Sequence, residues 1–99
     1  MDPSIDLRGV ARAKWDELAP VVAARPRTKP TDMQTLAAYC AAYGRWADAE
    51  AFLADPAHGP VLTIRDDKGN VRSHGPAPQL VIAERASKEM SRLAKLLHI

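Results

Sequence analysis

One cysteine, five aromatic residues and no long apolar run set the first limits on this 99-residue chain. Cys40 has no second cysteine to pair with, so an internal disulfide and any CxxC metal knuckle are excluded. A single thiol fits a reducing compartment without demanding one. No apolar stretch approaches the ~20 residues that span a bilayer, so no membrane partner is expected. The start, Met1-Asp2-Pro3-Ser4, lacks the basic and apolar regions of a secretory signal. A soluble, cytoplasmic protein is expected.

Catalytic signatures are also missing. There is no Walker A loop, no GxGxxG, no GxSxG and no HExxH. The three histidines, His58, His74 and His98, fall in or near loops and the terminus, without metal-ligand spacing. Asp66-Asp67 stand beside Gly69-Asn70, which reads as turn chemistry rather than an acid–base pair. Cys40 has no histidine at helical spacing and reads as a small buried hydrophobe. No catalytic residue, metal or cofactor is expected, and the chain does not read as an enzyme.

Alanine is abundant instead. Eighteen residues are alanine, which adds little burial energy but lets helices approach closely. A chain of this length buries only roughly 60–65% of its unfolded surface, so copies of itself or a partner are expected to complete the burial. The fold class expected is mainly α with a β-hairpin, in an oligomer. Residues 1–99 form a single domain, with a helical pair over 1–58, a hairpin over 60–75 and a C-terminal helix over 78–99.

The first helix is expected over 5–24. Leu7, Val10, Ala11, Trp15, Leu18 and Val22 recur at three- and four-residue spacing. Pro20 should kink or restart it. The second is expected over 32–54, opened by a capping box from Thr31 to Gln34 and assisted by Asp32. Its apolar positions are Met33, Leu36, Ala37, Cys40, Tyr43, Ala47, Ala51 and Ala54. Two short β-branched runs around a Gly-containing turn read as a hairpin over 61–74. Two strands alone are marginal in water, so the hairpin should pack on a helix or another subunit. The last helix is expected over 78–97, with Ala83, Ala86, Met90, Leu93 and Leu97 as a heptad-like seam.

Net charge is +2, but its distribution is uneven. The acidic middle of the chain lies between two basic ends, a polarity that suits head-to-tail contacts or a phosphate-facing surface. One basic cluster comprises Arg8, Arg12 and Lys14 on the first helix with Arg25, Arg27 and Lys29 in the linker. A second is the stripe Arg85, Lys88, Arg92 and Lys95. Either could neutralise a few phosphates, and either could be an ordinary solvated face. Tyr39, Tyr43 and Trp46 form an aromatic ridge suited to the core or to a subunit contact. Met90, Leu93 and Leu97 are candidates for the same role.

The order of elements resembles the small terminase subunits of tailed phages. Trp15-Asp16-Glu17-Leu18-Ala19-Pro20 is similar to that family's "W-x-x-L-A-P" helix. Thr31-Asp32, then Leu36 through Tyr39-Cys40-Ala41-Ala42-Tyr43 to Trp46, is similar to its "D-x-x-x-L-x-x-Y-C-x-A-Y-x-x-W" core. Lys68-Gly69-Asn70-Val71 and Pro78 through Met90 are similar to its "K-G-x-x … P-x-L-x-I-A … A-x-K-E-M/L" segment. The likeness spans about residues 7 to 97. It implies a non-catalytic packaging adaptor that assembles into a homo-oligomeric ring, binds viral double-stranded DNA and regulates the large terminase subunit. It places that adaptor in the cytoplasm of the infected bacterial host. The alternative is a helical protein-interaction adaptor, or an antitoxin-like regulator, without direct DNA binding.

Overall fold

The computed structural model describes residues 2–55 and 78–99, and the backbone of residues 61–65 and 71–76. The described residues form three helices: α1 (Val10–Ala23), α2 (Pro30–Ala54) and α3 (Pro78–Leu97). Helix α2 is central, packing on α1 along one face and on α3 along another.

Helix α1 starts at Val10 rather than at residue 5. Gly9 precedes it at φ 59°, a left-handed conformation that glycine adopts without a Cβ penalty. Leu7, outside the helix, is nevertheless buried. Pro20 neither stops nor restarts α1. It is exposed, while its neighbours Ala19 and Val22 are buried and hold the last turn in place. The helix end is closed by Ala24 N–H donating to Pro20 O at 3.1 Å and by the Thr28 hydroxyl donating to Val22 O.

Helix α2 starts at Pro30, a favoured first-turn position for proline. The capping pair is therefore not Thr31 and Gln34. Lys29 N–H donates to Asp32 Oδ2 at 2.9 Å, and Asp32 N–H returns to Lys29 O at 2.9 Å. Thr31 instead offers its carbonyl to the Thr35 hydroxyl. Proline at the first helical position moves the cap two residues earlier than the serine/threonine pattern suggests.

The core is built around Trp15, which is 1% exposed, with Leu36, Ala37 and Cys40 of α2 at 0%. Val22 and Leu97 complete this cluster, with Leu18, Met33 and Tyr39 packed against it. A second stripe on α2 carries Ala42 and Ala49 at three- and four-residue steps from Tyr39 and Trp46. Residues at such steps share a helix face, here the one toward α3. Ala51 and Ala54, expected inside, are exposed. On α3, Ala83, Ala86, Leu93 and Leu97 are buried and Met90 is half-buried.

The expected fold class, mainly α with a β-hairpin, is corrected: the packed body is all-α. Every buried residue among those described lies on a helix, except Leu7. The extended segments β1 (Val61–Arg65) and β2 (Val71–Pro76) run antiparallel, Val61 opposite Pro76, and their extensive contacts are with each other. The expectation that they pack on a helix or another subunit concerns side chains outside the described residues. The α1–α2 and α2–α3 contacts enclose Trp15 and the alanine stripe. The turn expected over 66–70 and His58 lie outside the described residues.

Candidate nucleic-acid interface

The basic residues of the first helix and linker divide by what they touch. Arg8 pairs with Asp6 at 2.9 Å and Arg12 with Asp16 at 3.2 Å. Exposed pairs of this kind contribute about 0–1 kcal/mol, so either arginine can exchange its carboxylate for another anion. Lys14 is held from two sides. Its Nζ lies 2.8 Å from Glu17 Oε2 and 4.5 Å from the centre of the Tyr43 ring. The hydrogen bond to Glu17 raises its pKa against the effect of partial burial. Lys14 is thereby a brace between α1 and α2.

Arg25 is also engaged within the fold. Its Nη1 donates to the carbonyl of Leu97, at the C-terminal end of α3. A cation there satisfies a carbonyl left without a helical partner and opposes the negative end of the helix dipole. Arg27 and Lys29 are exposed, and neither side chain has an ion pair among the described residues. The six candidates thus do not form one free cationic surface.

The second cluster has a different geometry. Arg85, Lys88, Arg92 and Lys95 are all exposed on α3, at steps of three, four and three residues. Those steps keep them on one helix face over about 15 Å. Arg92 binds Glu89 at 2.6 Å, and this hydrogen bond holds the Glu89 carboxyl below its ordinary pKa. The other three have no carboxylate partner among the described residues.

The aromatic ridge is shared between neighbours. Tyr43 turns to Lys14, and its ring centre stands 5.8 Å from that of Trp46. Tyr39 and Trp46 line a shallow groove with Met90 and Ala94 of α3. All three ridge residues are half-buried. Leu93 and Leu97 are buried within this one chain.

Sequence reasoning missed the structural work of Lys14 and Arg25. Their partners, Tyr43 and the Leu97 carbonyl, are distant in the chain, and no local pattern announces them. It also missed Gly44, which is buried where α2 meets α1. A second small-residue stripe on α2 was the available signal.

Among the described residues, no group of three His, Cys, Asp or Glu side chains could hold a metal ion. No helix of the described residues is long and apolar enough to cross a membrane. No curated protein and no solved structure matches the chain. A family model described as "Phage terminase, small subunit" matches residues 11–99. That match runs from the second residue of α1 through α3, so the chain belongs to the phage terminase small-subunit family, whose members are adaptors rather than enzymes.

Proposed function

We propose that the chain is the packaging adaptor itself: it assembles into a homo-oligomeric ring, binds viral double-stranded DNA and regulates the large terminase subunit in the host cytoplasm. The observation that carries the DNA reading is the α3 stripe. Arg85, Lys88 and Lys95 are exposed, unpaired among the described residues and aligned. Such a row meets the phosphate backbone without reading bases, so affinity depends on salt more than on sequence. Arg8 and Arg12, with exchangeable carboxylate partners, add to the same electrostatic attraction.

The ring reading is supported by the packing. The body is lean in large side chains, and Val21 and Leu96 are 57% and 59% exposed. Neighbouring copies would cover such residues.

Fluorescence anisotropy with duplex DNA tests the DNA contact. Binding should weaken steeply from about 50 to 200 mM salt. The triple change Arg85→Ala, Lys88→Ala and Lys95→Ala should reduce the salt slope by about 2–3. Absence of binding at low salt would favour the protein-only adaptor.

A further inference from the structure

At the end of the body where α1 turns into α2, an apolar groove of about 350 Å³ lies open. Val22, Pro26, Leu96 and Leu97 form its apolar lining, and Arg25 and Arg27 are also part of the wall. Leu96 is largely exposed. The charge around this groove is unusual for its position. Arg25, Arg27 and Lys29 gather at the N-terminal end of α2, where the helix dipole is already positive, and Asp32 is the sole acid of the first turn. The far end of α2 is charged in the opposite sense. Asp48 and Glu50 are exposed near the negative end of the dipole, and the last turn has no basic residue. Glu50 and Lys88 of α3 line the same shallow groove without forming an ion pair.

Both ends of α2 therefore carry charge of the sign that an isolated helix disfavours. A partner of opposite charge relieves each end. Twenty-five residues separate the ends by about 37 Å, so one copy cannot satisfy itself. The two surfaces differ, so a contact that the same partner does not return is head-to-tail, the kind that closes into a ring when its rotation closes.

We infer that this groove seats the acidic end of α2 from a second copy of the chain. Asp48 and Glu50 meet the Arg27 and Lys29 side, and the exposed Ala51 and Ala54 lie against the apolar lining. Ala51 and Ala54 are small enough to enter a shallow groove, which accounts for alanine at exposed positions. The inference rests on the ring reading and names the surfaces that would make it.

Analytical ultracentrifugation of the full chain tests it, with circular dichroism as the control for folding. Arg27→Glu and Glu50→Arg should each weaken association by about tenfold or more. The double change Arg27→Glu with Glu50→Arg should restore association, because the swapped charges are complementary again. Arg27→Gln and Glu50→Gln serve if either reversal perturbs folding, and should show a smaller loss. A wild-type chain that assembles, with variants that assemble equally well, overturns this inference and leaves the ring standing. A wild-type monomer overturns both. If Arg27→Glu loses DNA binding but keeps its assembly, the linker is a DNA contact and the inference falls.

Discussion

A Cβ built on Gly44 would stand 2.8 Å from the Cβ of Ala11, and 3.3 Å from its backbone nitrogen. Real Cβ atoms do not approach that closely, so α1 and α2 can cross here only because α2 presents glycine. The neighbour is a helix backbone and its first side-chain atom, not the end of a flexible chain. Gly44→Ala should gain about 1 kcal/mol of helix propensity. Against that, overpacking costs about 1–3 kcal/mol. A net loss is expected, read as a melting temperature lower by several degrees. Adding Ala11→Gly should recover part of the loss. An unchanged or raised melting temperature for Gly44→Ala would show that the crossing is looser than this.

Trp15 is the largest side chain of the core and is almost wholly enclosed. Trp15→Ala should cost about 3–5 kcal/mol. A domain of this size has only about 5–15 kcal/mol in total, so the variant should melt more than about 10 °C lower. Trp15→Phe should remain folded with a lower melting point. Denaturant titration followed by circular dichroism distinguishes the two.

Arg25 joins the linker to the end of α3 through the Leu97 carbonyl. Arg25→Ala should cost about 1.5–3 kcal/mol, in the range of a hydrogen bond from a charged donor. The loss should be local. Hydrogen exchange should rise in the last turn of α3 and stay unchanged around Leu36 and Cys40. Uniform loss of protection would mean that the contact holds the whole body rather than one helix end.

Burial lifts the Cys40 thiol from an ordinary 9.0 to about 11, with Lys14 opposing the shift. The folded chain therefore holds a neutral thiol at pH 8, and a thiol-specific reagent should modify it only as the chain opens. The sign of the linkage follows. Between about pH 9 and 11 the unfolded chain releases this proton and the folded chain keeps it, so stability should fall as pH rises through that range. Cys40→Ala should remove this part of the alkaline decline. Rapid modification of the native protein at pH 8 would contradict the burial.

Much of the helical body was legible because its signals are local. The spacing of Ala11, Trp15 and Val22 marks the buried side of α1, and the Ala83-to-Leu97 seam marks that of α3. The start of α1 was misplaced because Leu7 is buried without being helical. Pro20, expected to kink or restart α1, leaves it continuous to Ala23, because an exposed proline near a helix end disrupts little when Ala19 and Val22 hold the turn. Helix α2 was harder, since it serves two neighbours. Its single expected stripe ran on to Ala51 and Ala54, while Ala42, Gly44 and Ala49 do the close packing. Two short β-branched runs mark the antiparallel segments β1 and β2, while every described side chain that is buried belongs to the helical body. The basic residues were readable as charges only. Which of them brace the fold, as Lys14 and Arg25 do, depends on partners that only the folded chain brings near.

The central claim is that this helical body acts as an assembled adaptor on DNA. Native mass spectrometry of the full chain, with and without duplex DNA at low salt, tests it most directly. The expected result is one discrete closed oligomer that gains the mass of a DNA duplex. A chain that stays monomeric at micromolar concentration, and gains no mass when DNA is added, would contradict it.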